Sequence, residues 1–429
     1  MKNSIQDRQY DSFRPAENDK SKRAVVIEQG DYNSVPVEMD VQDSFNRLKV
    51  APPNLLFDSS FQYTLQQKVF IQKIELGGTI AHDANRAAAV LSCSATIGSR
   101  AKFRSRNYFP YSPAFTNTIT GSFRFNGTNS STIKRVGLFD ERNGFILEAS
   151  DSTIKFAVRS SISGSPVNNY VSKGFWNVDN FTGEGGANNP SGITLDPTKQ
   201  LIFYIEYQWL GSGKVEFGFL IGLRRYPAHR FFHSNVISSL YSQTGTLPIQ
   251  AEIIGNGASD FMEFTCCSVV SNGATAQHGH LHTVSNGLIP KTLSTTGTSY
   301  PILSIRKKPG YSNVPVQVLD MNAFSTSNDD FLVQIIHKPN LIGAVWVDVP
   351  DSLSQKDVSA TSWSGGDVVA EFYMKGNLQA SEKLELLARF WDLTLGDDFD
   401  GNSEIMTMTA IPLTTNANLY GIISFKEFE

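Results

Sequence analysis

The fold is decided by residues 201–233, which read LIFYIEYQWLGSGKVEFGFLIGLRRYPAHRFFH. Apolar side chains take every second position on both sides of a Gly-Ser-Gly turn: Leu201, Phe203, Ile205, Tyr207 and Trp209 before it, and Val215, Phe217, Phe219 and Ile221 after it. Successive side chains of a strand point to opposite faces, so each half lays one apolar row on a core. Glycine supplies the backbone freedom that a tight reversal needs. The stretch therefore predicts a β-hairpin at the centre of a large antiparallel sandwich.

The composition favours an all-β protein. The chain has 29 Phe and 33 Gly against only 7 Met, and aromatic residues favour strands while glycine favours turns. Charged residues make up only 18% and hydrophobic residues 40%, so apolar surface must be hidden in β-layers or in subunit interfaces. A length of 429 residues leaves room for two or three domains.

Charge and hydropathy argue against two classes of partner. A formal net charge of −4 gives no global field that would attract nucleic acid, and no apolar run is long enough for membrane insertion. The first residues also lack the apolar segment of a secretory signal. Of the three cysteines, Cys266 and Cys267 are adjacent and would point to opposite faces of a strand. We therefore expect folding in a reducing compartment without structural disulfides.

Turn signals and short apolar runs divide the chain into three parts. Residues 1–54 are predicted to form an extended N-terminal arm and linker, because the segment is polar and its short apolar runs are marginal alone. Residues 55–288 are predicted to form a large jelly-roll, concanavalin-like β-sandwich, and residues 289–429 a second, smaller β-sandwich. Within the first sandwich, residues 83–91 are interpreted as a brief helix or a turn, since an Asp precedes an Ala cluster.

A long loop and a histidine tract supply the candidate binding residues. Residues 173–197 are rich in Gly, Asn and Pro, and loops of this length are usually functional. Trp176, Asn177 and Asp179 in this loop are candidates for ring stacking and hydrogen bonding to a sugar. His278, His280 and His282 share one strand parity and are candidate metal ligands, for example between chains on a threefold axis. The alternative for the histidines is an exposed strand edge or loop. No cofactor is expected.

Carboxylates on one face of the hairpin raise a catalytic alternative. Glu206 and Glu216 would lie side by side, and two carboxylates about 5 Å apart suit a retaining glycosidase. The E-x-D-x-x-E strand of many sandwich glycosidases is missing, and Lys214 is near enough to pair with either acid. A solvated polar face is therefore favoured.

Two further charged segments have functional and structural interpretations. Lys102, Arg104 and Arg106 share one parity beside aromatics, a pattern that suits single-stranded nucleic acid but also a solvated face or a subunit contact, and the last two are favoured. The acidic segment of residues 397–404, DDFDGNSE, has oxygen ligands at alternating spacing, which suits Ca²⁺, but it lacks the full EF-hand spacing. A solvated acidic loop is favoured there.

Several short motifs occur in an order that resembles one protein family. They are WNVD at 176–179, PSGITLD at 190–196 and YQWLG at 207–211, together with RVGLFD at 135–140, the Asn143-Gly144 turn, FAVRSS at 156–161, AEI at 251–253 and SNDDF at 327–331. In this combination the chain resembles a family of virion structural proteins of tailed bacteriophages and other large-genome DNA viruses. The resemblance covers roughly residues 55–429 and supplies no catalytic residues.

The resemblance implies a role in the virus particle. On this basis we expect a non-enzymatic structural protein of the capsid or tail, made in the host cytoplasm and assembled as a homo-oligomer, in the manner of a decoration, fibre or tail component. Its partners would be copies of itself, as in a trimer, and other virion proteins. The alternative is a receptor- or carbohydrate-binding adhesion module on the virion surface, with a host glycan or receptor as partner.

Overall fold

The computed structural model describes residues 53–428 except for 114, 223, 274–278, 312, 377–378, 384–393 and 415–416. The described part of the chain is all-β, and its one helical element is a 3-10 turn at Lys173–Phe175. Every strand pair is antiparallel. The predicted fold class is therefore confirmed. The predicted arm, residues 1–54, lies almost entirely outside the described residues.

The first sandwich is built from two large sheets. Its strands are β1 Asn54–Ser60, β2 Phe70–Glu75, β3 Thr79–Asp83, β4 Ala88–Cys93, β5 Arg100–Ser105, β6 Thr116–Arg124, β7 Thr132–Phe139, β8 Gly144–Ser150, β9 Thr153–Ser160, β10 Val167–Ser172, β11 Leu201–Tyr207, β12 Val215–Ile221, β13 Arg224–Phe231, β14 Ile249–Gly255 and β15 Asp260–Asn272. The eight-stranded sheet has the order β13-β12-β11-β6-β15-β4-β3, with β1 also paired to β15. The seven-stranded sheet has the order β10-β9-β8-β7-β14-β5-β2.

The second sandwich follows with shorter strands. They are β16 His280–Ser285, β17 Lys291–Leu293, β18 Tyr300–Lys307, β19 Val316–Ser325, β20 Phe331–His337, β21 Asn340–Ile342, β22 Val347–Asp348, β23 Ser354–Asp357, β24 Ser362–Ser364, β25 Asp367–Met374, β26 Gln379–Lys383, β27 Thr394–Leu395, β28 Ile405–Pro412 and β29 Ala417–Glu427. One six-stranded sheet has the order β16-β29-β19-β26, with β17 beside β29 and β27 beside β19, and the other has the order β22-β23-β18-β28-β20-β25. Because β16 pairs with β29, this group of strands begins before residue 289.

The predicted hairpin is present as β11 and β12. Phe203 pairs with Phe219 and Ile205 with Phe217, so the apolar rows of both strands face the same core. Glycine is required at Gly213, where a Cβ atom would lie 1.8 Å from the carbonyl oxygen of Gln208. The hairpin lies toward one edge of its sheet, since β13 alone lies beyond β12. The alternation of apolar residues therefore predicted the pairing of β11 with β12, but it did not predict the position of this hairpin within its sheet.

Each sandwich has its own hydrophobic core. The first core is aromatic, and Phe70 stacks on Phe103 with ring centroids 4.6 Å apart. The second core relies on aliphatic and sulfur-containing side chains such as Met406 and Met408. Full burial of one such side chain contributes roughly 1.5–3 kcal/mol. All three cysteines are free thiols, and Cys93 and Cys267 are buried.

A loop of the second sandwich lies on the seven-stranded sheet of the first. Arg104 on β5 donates from Nη2 to the carbonyl oxygens of Asp397 and Asp398, over 2.9 and 3.0 Å, and its guanidinium covers the ring of Phe399. Lys73 on β2 forms an ion pair of 2.7 Å with Asp400. This contact, which we call the junction, explains the basic strand: it binds a loop of its own chain.

No helix within the described residues is long and apolar enough to cross a membrane.

Candidate functional site

The outer face of the seven-stranded sheet carries a dense row of charged side chains. Cross-strand pairing places Glu148 on β8 beside Arg135 on β7, Arg135 beside Glu252 on β14, and Glu252 beside Lys102 on β5. Arg135 bridges the two carboxylates, with Nε 2.7 Å from Glu148 and Nη1 3.0 Å from Glu252. Tyr170 on the edge strand β10 donates to Glu148 over 2.8 Å. We call these five side chains the polar row.

The Glu148 carboxylate of the polar row is held ionised. Burial alone would raise the pKa of Glu148, but the charge of Arg135 and hydrogen bonds from Ser150, Arg135 and Tyr170 outweigh it and lower that pKa. The pKa of Arg135 is raised, because Glu252 and Glu148 outweigh its burial. A carboxylate stabilised in this way accepts hydrogen bonds and does not supply a proton at neutral pH. The polar row can therefore orient a polar ligand, but Glu148 is unsuited to act as a general acid.

The hairpin acids Glu206 and Glu216 occupy the outer face of the other large sheet. They are cross-strand partners, as the alternation predicts. The predicted solvated face is wrong, because the two residues are only 3% and 7% exposed. Arg225 from β13 reaches Glu206 over 3.0 Å, and Arg230 reaches Glu216 over 2.8 Å. The nearby charges of Lys214 and Arg230 offset burial and lower the pKa of Glu216, so this acid also remains ionised.

A half-open cavity of about 370 Å³ lies near the junction and is lined by residues of both sandwiches. It is bordered by residues 55–60 of β1 and by Gln66, Lys68, Val69, Arg106, Asn107, His337, Thr394 and Glu404. We call it the junction cavity. It brings together residues of β1, β20 and β27, which are distant in the chain. No local sequence pattern therefore predicts the cavity.

An exposed apolar surface lies on the second sandwich, and we call it the apolar patch. Leu288 and Ile289, at the turn between β16 and β17, are 95% and 80% exposed. Beside them, Phe324, Tyr420 and Ile422 border a hollow of about 540 Å³ that Leu288 also lines. Apolar side chains this exposed, next to an apolar hollow, are typical of an interaction surface.

The predicted sugar-binding residues hold the long loop together. Trp176 is only 4% exposed and stacks on Phe156, with ring centroids 4.3 Å apart, so its ring offers no surface to a sugar. Asp179 is buried and accepts hydrogen bonds from the backbone of Phe181 and Ser191 and from the amide of Asn189. The predicted stacking role therefore does not fit Trp176, because a platform for a sugar ring must be exposed.

Asn177 is exposed, but its side chain is paired with the backbone of β13. It donates to the carbonyl of Arg230 and accepts from the same residue's N–H, both over 2.9 Å. Its own N–H donates to Nδ1 of His229. Burial lowers the pKa of His229 to about 4, which keeps that ring neutral and able to accept. Ligand binding by Asn177 stays a prediction.

The histidine tract is only partly within the described residues, since His278 lies outside them. His280 and His282 are both on β16, and the ring of His282 lies 3.4 Å from Glu427 and stacks on Phe425. Across the described part of the chain, no group of three or more His, Cys, Asp or Glu side chains is arranged to hold a metal ion. The interchain metal site therefore stays a prediction.

The acidic segment of residues 397–404 disperses its carboxylates. Asp397 forms a buried ion pair with Lys307, while Asp398 accepts from the backbone N–H groups of Asp400 and Asn402 within its own turn. Glu404 points to Arg106, His337 and Lys338. The oxygens do not converge, so the calcium alternative has no ligand set here.

The family-like motifs lie at the framework of the first sandwich. Asp140 accepts from the N–H groups of Arg142 and Asn143, which closes the β7–β8 hairpin. Arg159 of the FAVRSS motif donates to the carbonyl of Asp140 over 2.6 Å, and the Asn143 side chain accepts from the backbone of Ser161. These motif residues stabilise turns and strand contacts.

Comparison with known proteins adds the following. No protein-family model and no curated protein matches the chain. Among solved structures, an endo-β-1,4-glucuronan lyase from the fungus Trichoderma reesei aligns at 10% identity and a TM-score of 0.35, covering 51% of this chain and 95% of the lyase. A glycoside hydrolase family 16 endo-glucanase from Bacteroides ovatus aligns at 12% and 0.32, covering 50% and 100%. The carbohydrate recognition domain of Emp46p aligns at 12% and 0.30, covering 52% and 96%.

These comparisons correct one prediction. The prediction that the chain is not an enzyme is wrong. The solved structures that are similar to the chain include a glucuronan lyase and glycoside hydrolases. At this identity the likeness concerns the sandwich fold alone, and no activity or residue role passes from those proteins to this chain.

Proposed function

We propose that the protein is a structural component of a virus particle that assembles with copies of itself through the apolar patch. The proposal rests on the ordered motifs at the framework of the first sandwich and, above all, on the shape of the patch. Leu288 and Ile289 project from a turn directly beside the hollow formed by Phe324, Tyr420 and Ile422. A projection next to a matching hollow is self-complementary, so two copies can each insert their turn into the other.

The energy available from this contact sets how strong the assembly is. Burying one exposed Leu or Ile side chain contributes about 1.5–3 kcal/mol. Two copies that exchange their turns bury four such side chains, which gives roughly 6–12 kcal/mol before the association cost of about 4–15 kcal/mol. Because the two ranges overlap, association through the patch alone is weak and depends on concentration, and a growing particle would have to add further contacts.

The self-association test compares the wild type with a double variant. Sedimentation velocity over a wide concentration range should show wild-type oligomers, whereas Leu288→Ser with Ile289→Ser should remain monomeric. The matched control is Ile97→Ser, which removes a side chain that is 73% exposed on the first sandwich. It should associate like the wild type. A wild type that stays monomeric throughout, or a double variant that associates unchanged, would refute the proposal.

Membership of a particle needs a separate experiment. An antibody raised against the purified chain should label intact particles of the virus that encodes it, at a constant position on the capsid or tail in electron micrographs. The particle role is contradicted if the antibody does not label the particles and mass spectrometry finds no copy of the chain in them.

A second candidate role, recognition of carbohydrate at the particle surface, is favoured by the junction cavity.

A further inference from the structure

Two carboxylates line the junction cavity: that of Asp58 is at its exposed side, and that of Glu404 is fully occupied by other groups. Oε1 of Glu404 lies 2.5 Å from Nη1 of Arg106 and 2.8 Å from Nζ of Lys338. Oε2 lies 2.9 Å from Nε2 of His337 and accepts from the backbone N–H of Gly396 over 3.0 Å. Although burial opposes it, these contacts keep the pKa of Glu404 below its usual value. The acid therefore fixes the wall of the cavity and has little capacity left for a ligand.

Three other polar groups of the cavity wall are uncommitted donors. The hydroxyl of Thr394, a residue that is only 2% exposed, has no hydrogen-bond partner among the described residues. Nε of Arg106 is also buried and without a partner in that part of the chain. Lys68 lines the cavity from its exposed side, and the described residues offer its ammonium group no ion-pair partner. A buried donor without a partner costs about 1–3 kcal/mol, which a bound acceptor would recover.

The opposite wall is the edge of a strand. Residues 55–60 of β1 all border the cavity, including side chains of both parities. Successive side chains alternate between faces, so a cavity that meets both sets lies against the strand edge. Among the described strands β1 pairs only with β15. Its second edge therefore presents backbone N–H and C=O groups, with Leu55 and Val69 as apolar neighbours.

We propose that the junction cavity binds a carboxylated sugar, as a monosaccharide or as the end of a glycan. The cationic and hydroxyl donors Lys68, Arg106 and Thr394 suit a carboxylate, since charge-assisted hydrogen bonds are the stronger ones. The strand edge supplies both donors and acceptors for ring hydroxyls, and the apolar side chains suit the C–H face of a ring. A volume of about 370 Å³ is in the range of small-molecule sites and holds one or two sugar rings.

Isothermal titration calorimetry with D-glucuronate tests the proposal, because D-glucose has the same ring but carries a neutral hydroxymethyl group in place of the carboxylate. The full chain should bind glucuronate at least about tenfold more tightly than glucose, as one charge-assisted contact is worth about a factor of ten or more. Acetate, which has the carboxylate without the ring, should also bind more weakly than glucuronate. Thr394→Val and Lys68→Met should each weaken glucuronate binding by about five- to thirtyfold.

The matched control is Thr116→Val. Thr116 is fully buried and its hydroxyl also lacks a partner among the described residues, but it lies outside the junction cavity. Its variant should bind glucuronate like the wild type. The proposal is overturned if the wild type does not bind glucuronate, if glucose or acetate binds equally well, or if Thr394→Val binds as tightly as Thr116→Val. The double variant of the apolar patch should retain binding, which separates this outcome from the assembly proposal.

Discussion

The indole ring of Trp176 lies against Phe156, which in turn stacks on Phe217 with ring centroids 4.6 Å apart. Its Nε1 donates to the carbonyl of Val171 over 3.3 Å, so the polar end of the ring is satisfied inside the core. The adjacent Phe175 is 80% exposed and contributes little burial. The long loop is therefore anchored in the core by Trp176 together with the fully buried Phe181, while Phe175 faces solvent.

Replacing Trp176 by Ala should lower the free energy of unfolding by about 3–5 kcal/mol, because a buried aromatic ring is lost and a cavity remains. Phe175→Ala, one residue away, should change it by less than about 0.5 kcal/mol, since exposed positions are tolerant. Urea denaturation followed by intrinsic fluorescence or circular dichroism measures both. A small effect of Trp176→Ala would contradict the packing described for the long loop.

At the level of single elements, strand pairing follows the sequence pattern and the turns follow side-chain chemistry. The segment of residues 83–91 forms a turn and β4, and not a helix. The Asp83 carboxylate accepts from the N–H groups of Asn85 and Arg86 and closes the turn before the Ala cluster. An Asp side chain makes the same hydrogen bonds to backbone N–H groups when it caps a helix and when it closes a turn. The pairing of β3 with β4 therefore decides that this segment is a turn and not the start of a helix.

The β11–β12 hairpin depends on the lack of a side chain at Gly213. Gly213→Ala should destabilise the protein by about 2–4 kcal/mol, because the new methyl group would collide with a backbone carbonyl that cannot turn away. Gly174 has open space around its Cβ position, and Gly174→Ala should be close to neutral. Thermal and urea unfolding of the two variants compares them directly. Equal stabilities would mean that the turn has a different backbone path.

Over the whole molecule, the sequence predicted the two sandwiches but not what lies between them. Period-two alternation is a local signal, and it places Phe203 and Ile205 of β11 and Phe217 and Phe219 of β12 in the core. The junction joins β2 and β5 to a loop some 300 residues later, and such contacts leave no local signal. The buried ion pairs of Glu206 and Glu216 were missed for a related reason. The arginines that pair with Glu206 and Glu216 come from β13. An alternating pattern of polar residues predicts a polar face, but it does not predict which side chains cover that face.

Glu404 connects the two sandwiches, because it pairs with Arg106 of the first and with His337 and Lys338 of the second. Its pKa lies below its usual value, so its stabilising effect is complete above about pH 4.5 and is lost as the pH falls through the lowered pKa. At pH 7 Glu404→Gln should therefore cost about 3–5 kcal/mol, because Arg106, His337 and Lys338 lose their common acceptor. The difference from the wild type should shrink as the pH falls through that lowered pKa, because the wild-type acid then becomes protonated as well.

Calorimetric unfolding at pH 7 and below pH 4 measures that difference. The control is Glu371→Gln on the exposed edge strand β25, which should follow the wild type at both pH values. A Glu404→Gln penalty that does not depend on pH would show that the geometry of the carboxylate, and not its charge, stabilises the junction.

Both sandwiches are closed by their last strand. β15 pairs with β1, β4 and β6, and β29 pairs with β16, β17 and β19. During synthesis, therefore, the ribosome must deliver residue 272 before the first sandwich can complete its larger sheet, and residue 427 before the second can complete the sheet that contains β29. Contacts this distant in the chain are slow to form. Newly made chains pass through a period in which apolar strands have no partner, and they need chaperones or crowded sister chains most at that time.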